Sequence, residues 1–224
     1  MQETYRGILV ESESEIQALD WLFELQDRGF VHSIERGPEM LIGSGLDNSY
    51  TKETQLKTKV KIEDKKEVLL APHYYTPEFV VVWRLHTPEK LVWGTDLLNA
   101  ITCQAPLIGH PFPVIINENT ERGMMTYIEV KPAFDYQNMT RAFKINQKWV
   151  WQSRKIFVNL IEPISLYKKT FTPMSYLTTR KKKTEREIKW DIQTCDGYLK
   201  SIGYDNSQRT DTIGGVSTEQ LQSN

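Results

Sequence analysis

Cysteine and histidine are scarce in this chain of 224 residues. The chain contains two cysteines and four histidines, and their spacing does not bring them into the close pairs that a structural zinc site requires. No apolar run approaches the roughly 18 residues of a membrane span, and the first residues lack the basic and then apolar layout of a secretory signal. These absences argue against a zinc module and predict a cytoplasmic protein in a reducing compartment that contacts no membrane.

Net charge is also small, at −1, but it is unevenly distributed. Residues 1–40 carry three basic and nine acidic side chains, whereas residues 141–155 carry five basic side chains and no acidic ones. A near-zero total therefore conceals an acidic and a basic region. The hydrophobic fraction of 39% is ordinary for a soluble globular protein, so a collagen-like or fully disordered chain is excluded.

Hydrophobic periodicity predicts the order of the main secondary structure elements. Apolar residues at helical spacing predict an amphipathic helix over 12–29. A continuous run of β-forming residues at 79–83 predicts a central strand that is covered on both faces. The other predicted elements are strands at 30–34, within 40–42, at 58–62, 127–131 and 155–161, and a helix over 138–151. Residues 43–57 are rich in Gly, Ser, Asn and Thr, which predicts a loop.

Composition divides the chain into three parts. Residues 1–167 are predicted to form the main domain, with residues 84–125 as an insertion because this stretch contains four prolines and several glycines. Within the insertion, a short helix at 96–100 and a strand at 114–117 are candidates. Residues 168–204 form a basic C-terminal extension, and residues 205–224, which hold almost no large apolar side chain, are predicted to be a disordered tail.

One strand carries an acid and an amine on the same face. Side chains alternate between the faces of a strand, so Glu129 and Lys131 project together. If Glu78 lies beside them, two carboxylates can hold Mg²⁺, whose shell is completed by water and phosphate oxygens. A lysine next to such a metal can orient or deprotonate the attacking water and neutralise charge on a phosphoryl group. The competing interpretation is an ordinary ion pair on an exposed strand.

Two segments around these residues carry a family resemblance. They read Tyr74-Tyr75-Thr76-Pro77-Glu78-Phe79-Val80-Val81 and Tyr127-Ile128-Glu129-Val130-Lys131-Pro132. The pair resembles the signature of the PD-(D/E)XK nuclease superfamily, in which Pro-Asp or Pro-Glu opens one strand and Glu-x-Lys lies on the next. The similarity covers roughly residues 12–162. It is strongest to phage-type endonucleases and junction resolvases and to the catalytic domain of TnsA-type transposon endonucleases, in which Val-Lys-Pro commonly closes the motif.

The resemblance implies an α/β, restriction-endonuclease-like fold with a central mixed β-sheet flanked by helices. It implies a phage or mobile-element endonuclease that hydrolyses DNA phosphodiester bonds with Mg²⁺, for which Mn²⁺ can substitute. The catalytic residues would be Glu78, Glu129 and Lys131, and both glutamates would be metal ligands. The implied partners are DNA, a second copy of the chain in a homodimer, and a partner protein in a recombination or transposition complex. Alternative functions are a non-catalytic DNA- or protein-binding adaptor with this fold, or one subunit of a transposition machine.

Glu15 has two interpretations, which the sequence leaves open. Many members of the superfamily place a further metal-binding acid on the first helix, and Glu15 lies along the buried stripe of the predicted helix. Ser12-x-x-Glu15 also fits a capping box, in which the glutamate bonds the backbone N–H of Ser12.

Two basic groups are candidate DNA-binding residues. Arg141, Lys144 and Lys148 lie on one side of the predicted helix 138–151, where they would contact backbone phosphates without reading sequence. Gln147 or Lys144 would also support the catalytic lysine, by the family resemblance. The second group is the run Arg180, Lys181, Lys182 and Lys183 in the C-terminal extension. Simple solvation of either group is the alternative.

Overall fold

A computed structural model describes residues 3–84, 118–120, 123–132 and 136–202. Strands β1 to β11 span Glu3–Tyr5, Ile8–Val10, Val31–Arg36, Met40–Gly43, Leu46–Gln55, Val60–Leu70, His73–Tyr75, Phe79–Trp83, Glu118–Thr120, Gly123–Val130 and Val158–Ile161. Helices α1 to α4 span Glu13–Asp27, Tyr136–Arg154, Pro163–Lys169 and Cys195–Ser201. The candidate helix at 96–100, the candidate strand at 114–117 and the tail at 205–224 lie outside the described residues.

A mixed β-sheet lies at the centre of the protein. Its strand order is β11-β10-β8-β3, with β9 paired to β10. Strand β8 is antiparallel to both of its neighbours, and β10 is parallel to β11. The parallel pair is joined through α2, as a crossover between parallel strands requires. The mixed α/β class and the central position of the apolar strand 79–83 are therefore confirmed.

Helix α1 lies where the sequence predicts a helix. Ser12 caps its first turn by accepting a hydrogen bond from the Glu15 backbone N–H, and the chain leaves the helix through Gly29 at φ +80°, where glycine carries no steric penalty. Burial is wider than the predicted amphipathic stripe, because residues 18–23, more than a full turn, are all buried and include Asp20. This packing holds α1 in place, since helices in proteins gain most of their stability from tertiary packing.

Two hydrophobic clusters cover the sheet. The first cluster joins α1 to inward-facing residues of β8 and β10, among them Phe79 and Ile128. The second cluster joins α2 to β4, β7, β10 and β11 and includes Tyr75, Tyr127 and Phe143. Because Ile128 and Tyr127 are adjacent on β10, their membership of different clusters shows that the two faces of the sheet are both buried.

The C-terminal extension packs into the first of these clusters. Phe171, Tyr198 and Leu199 belong to the same buried group as α1, and the Trp21 indole N–H donates to the Thr170 hydroxyl at 2.9 Å. The division between residues 1–167 and 168–204 therefore lies within a continuous core. None of the helices among the described residues is both long and apolar enough to cross a membrane.

The predicted loop at 43–57 is wrong in the structure. Most of this stretch is β5, which pairs with β6 from Asp47 opposite Val68 to Gln55 opposite Val60. The prediction failed because β-structure depends on the pairing partner, and polar side chains are tolerated when both faces of a strand meet solvent. Strand β6 also continues well beyond the predicted 58–62, and β11 begins at Val158, later than predicted.

Candidate active site

The register of the central strands brings the two candidate carboxylates together. Strand β10 pairs with β8 so that Ile128 lies opposite Phe79, and one further step of this antiparallel register places Glu129 opposite Glu78. The Lys131 backbone N–H then donates to the Ile161 carbonyl at 3.0 Å, which extends the pairing with β11. Glu78, Glu129 and Lys131 therefore lie at the same end of the sheet.

Glu129 is a buried carboxylate with two side-chain partners. Its Oε2 accepts a hydrogen bond from the Tyr75 hydroxyl at 2.7 Å, and its Oε1 lies 2.5 Å from Lys131 Nζ. The residue is 6% exposed. Burial and the negative charge of Glu129 raise the pKa of Tyr75 well above its ordinary value, so this phenol stays protonated and donates. The Glu-x-Lys pattern is thus an ion pair in a largely water-excluded site, whereas an ordinary surface pair would be solvated.

Glu78 shares a guanidinium with Glu15. Arg36 Nη1 lies 3.0 Å from Glu78 Oε2 and 2.9 Å from Glu15 Oε2. Burial, followed by the charges of Glu15 and Glu129, raises the pKa of Glu78 to about 7, although Arg36 and Lys131 oppose the shift. Glu15 and Glu129 therefore both act on Glu78 at this end of the sheet, in addition to the effect of burial.

Glu15 makes the contacts of a helix cap. Its Oε1 accepts from the Ser12 hydroxyl at 2.8 Å, and its Oε2 accepts from the Glu11 backbone N–H at 3.1 Å. The capping interpretation predicted a bond to the Ser12 backbone N–H, and the structure has the Glu11 N–H in that role. The same carboxylate also contacts Arg36, so the cap and the acidic cluster are parts of one network.

Three residues at the site were missed by sequence reasoning. Tyr75 lies inside the quoted motif, but nothing in the sequence around it indicates that its hydroxyl reaches Glu129. Arg36 ends β3, and no local signal distinguishes it from other strand-end cations. Gly37 donates its N–H to the Glu78 carbonyl at 3.2 Å, and a Cβ on it would lie 2.1 Å from the Pro77 carbonyl oxygen. Only glycine permits this approach.

The basic stripe on α2 is exposed as predicted. Arg141, Lys144 and Lys148 are all exposed, and α2 covers the face of the sheet to which Tyr75 and Tyr127 belong. Glu129 lies two residues from Tyr127 and so shares that face. Gln147 donates its amide to the Val158 carbonyl at 2.6 Å, which ties α2 to β11.

The second basic group forms a tight turn between Thr179 and Thr184. Arg180 contacts Glu3 at 2.7 Å and Glu13 at 3.4 Å, so its charge is offset within the protein. Lys181, Lys182 and Lys183 are exposed and form no ion pair with the described part of the chain. They line an open groove of about 990 Å³ that Glu3, Glu11 and Glu13 also line. This groove presents both signs of charge.

Within the residues that the structure describes, no group of three or more His, Cys, Asp or Glu side chains is arranged to hold a metal ion. Comparisons with protein-family models, curated proteins and solved structures found no match.

Proposed function

We propose that this protein is a metal-dependent DNA endonuclease of the PD-(D/E)XK type. The observation that carries the proposal is the strand register, which brings Glu129 opposite Glu78 while Lys131 contacts Glu129 from the same strand face. An acid pair with an adjacent amine at one sheet end is the arrangement that the motif requires.

The order of elements supports a restriction-endonuclease-like fold. The motif implies a helix, strands, an acidic strand, a Glu-x-Lys strand, a helix and a strand. In this chain α1 is followed by β3, β8, β10, α2 and β11, and those four strands are neighbours in one mixed sheet.

The donor chemistry of the site fits Mg²⁺. Glu78 and Glu129 supply the hard carboxylate oxygens that this ion prefers, and one or two such ligands are sufficient when water and phosphate complete the shell. Burial is the largest cause of the raised pKa of Glu78, and the charges of Glu15 and Glu129 add to it; a bound cation would oppose both effects. Glu15 would join them if a cation replaced the Arg36 guanidinium, because Arg36 contacts both Glu15 and Glu78. Bound Mg²⁺ would polarise the scissile phosphate and lower the pKa of an attacking water.

The protein's own residues have distinct parts in this scheme. Lys131 holds a positive charge beside Glu129, where it stabilises charge that develops on the phosphate. Tyr75 orients the Glu129 carboxylate through its hydrogen bond. Arg141, Lys144 and Lys148 bind backbone phosphates beside the site, and Lys181, Lys182 and Lys183 form a second basic surface, both without sequence specificity.

The test is cleavage of supercoiled, linear and four-way-junction DNA with Mg²⁺, Mn²⁺ or a chelator. The variants are Lys131→Ala, Lys131→Arg and the control Lys200→Ala, which changes an exposed lysine on α4. We expect cleavage by wild type and the control only with metal. Lys131→Ala should not cut DNA although far-UV circular dichroism shows it folded, and its melting temperature should fall because the buried Glu129 carboxylate loses its cation. Full activity of folded Lys131→Ala would contradict the assignment. The preferred DNA separates a junction resolvase from a general or transposition endonuclease.

One observation favours a second candidate, a non-catalytic binding protein. Arg36 already compensates Glu15 and Glu78, as it would in a site that holds no metal. This candidate requires that wild type cut none of the three DNA forms and that Mg²⁺ leave its melting temperature unchanged. A subunit of a transposition machine would instead cut only with its partner protein.

A further inference from the structure

Strands β5 and β6 form a two-stranded ribbon that meets solvent on both faces. Almost every residue of Leu46–Gln55 and Val60–Leu70 is exposed, and among the described residues neither strand pairs with a third one. Ten residues at the rise of an antiparallel strand give a length of about 30 Å. Because an isolated hairpin is marginally stable in water, such a ribbon gains stability from a partner.

Positive charge is concentrated at the tip of the ribbon. Residues 54–62 contain three lysines and no acid. Two of them, Lys57 and Lys59, lie in the connection between the strands, are exposed, and form no ion pair with the described part of the chain. Nearer the base, Lys66 contacts Asp47 at 2.6 Å and Lys65 contacts Glu63 at 3.8 Å. The tip therefore carries two lysine charges that no ion pair within the described residues offsets.

The base of the ribbon adjoins the candidate active site. At the base of the ribbon the two ends of the hairpin lie side by side, because a Cβ on Gly45 would lie 2.9 Å from the Leu70 carbonyl oxygen. The chain then passes from β6 directly into β7, whose last residue, Tyr75, donates its hydroxyl to Glu129. A nucleic acid bound at Glu129 is therefore close to the point from which the ribbon extends.

We infer that the β5–β6 ribbon is a DNA-binding arm whose tip lysines contact the phosphates of a duplex. The major groove of B-DNA admits a two-stranded β-ribbon, and each lysine that neutralises a phosphate releases counterions. The inference rests on the proposed function and deepens it by naming the surface, outside the acidic site, that holds the duplex. A second copy of this chain is the competing occupant, because Val60, Ile62 and Val68 are exposed apolar side chains on one face of β6.

The experiment measures binding of the full chain to a 30-base-pair fluorescent duplex in chelator over a range of salt concentrations. The test variant carries Lys57→Ala and Lys59→Ala, the rescue variant carries Lys57→Arg and Lys59→Arg, and the control is Lys66→Ala. We expect the test variant to bind several-fold more weakly and to lose about 1.8 from the slope of log K against log salt, at about 0.9 per lost phosphate contact. The rescue variant and the control should have slopes that differ from the wild-type slope by less than the 0.9 expected for one phosphate contact.

If the variant with Lys57→Ala and Lys59→Ala has the wild-type slope and the wild-type affinity, the inference is wrong. It is also wrong if sedimentation shows a shift from dimer to monomer with an unchanged slope, which would assign the ribbon to self-association. These results are separate from the outcome of the cleavage test. If wild type cuts DNA but the ribbon variant binds normally, the proposed nuclease function stands and the DNA-binding arm is wrong. If the ribbon variant binds weakly but wild type never cuts, the DNA-binding arm stands and the nuclease function is wrong.

Discussion

Arg36 Nη1 lies 3.0 Å from Glu78 Oε2, and the same nitrogen lies 2.9 Å from Glu15 Oε2. Helix α1 and the start of β8 are therefore linked through a single side chain at the end of β3. The Arg36 guanidinium also lies over the Phe79 ring at 5.7 Å, and its side chain is 29% exposed. The link thus joins three elements of the candidate site through a side chain that is partly exposed to water.

Replacement of Arg36 by Ala should destabilise the protein more at pH 8 than at pH 5.5. At pH 8 the change leaves Glu15 and Glu78 without their shared cation, at a cost of about 2 kcal/mol in the free energy of unfolding. At pH 5.5 Glu78 is largely protonated, because its pKa is about 7, and the loss is smaller. Urea unfolding at both pH values measures the difference.

The control for this prediction is Arg6→Ala. Arg6 contacts Asp27 at 3.3 Å, but both side chains are about half exposed or more, so we expect a loss below about 1 kcal/mol at either pH. Equal losses in the two variants would show that Arg36 is an ordinary surface cation.

Glu78→Gln should stabilise the metal-free protein above neutral pH. Its pKa rises from 4.5 in the unfolded chain to about 7 in the folded protein, so the folded state holds this proton more tightly. Wild-type stability therefore falls as pH rises from 4.5 to 7, and the cost persists above pH 7. The Gln variant lacks this cost and should be more stable by up to about 3 kcal/mol at pH 8.

The measurement for Glu78→Gln is the free energy of unfolding between pH 4 and pH 9 in chelator. The two curves should converge below about pH 4.5, where both states of the wild-type carboxyl are protonated. A constant gap across this range would mean that the effect arises from packing and that the carboxyl pKa is not shifted.

Ser12→Ala should reduce stability by about 1 kcal/mol, since Ser12 is the N-cap of α1. The variant removes the hydroxyl that accepts from the Glu15 N–H and donates to its carboxylate, but it keeps the Glu15 charge and its contact with Arg36. DNA cleavage should therefore persist in the folded variant. Thermal unfolding and the plasmid assay together provide the check, and Ser12→Thr, which keeps a hydroxyl that both accepts and donates, should recover most of the stability.

Thr170→Val should destabilise the whole protein in one transition. The Thr170 hydroxyl accepts from the Trp21 indole N–H and donates to the Leu166 carbonyl. Val, which has nearly the same shape, removes both buried hydrogen bonds at a cost of about 1–3 kcal/mol. Thr170 is 1% exposed. Tryptophan fluorescence and far-UV circular dichroism should shift together, because the C-terminal residues belong to the α1 core. Two separate transitions would instead indicate that residues 168–202 unfold independently.

Strong local patterns predicted the elements of the central sheet correctly. The helical spacing around Leu19 and Leu22, the apolar run from Phe79 to Trp83 and the alternation around Glu129 all became the predicted element types. In each case the element packs into the core, and its apolar residues or their spacing are visible in the sequence. The β5–β6 ribbon has no buried face, and the sequence predicted a strand only at 58–62, near the start of β6.

The sequence by itself determined the amphipathic helix, the apolar central strand and the co-facial pair of Glu129 and Lys131, because helical and strand periods are properties of neighbouring residues. The tertiary structure alone decided that Glu78 lies opposite Glu129, that Tyr75 bonds this glutamate and that Arg36 joins Glu78 to Glu15. These contacts join residues 21 to 54 positions apart, and strand register and helix packing, which local composition does not encode, bring them together.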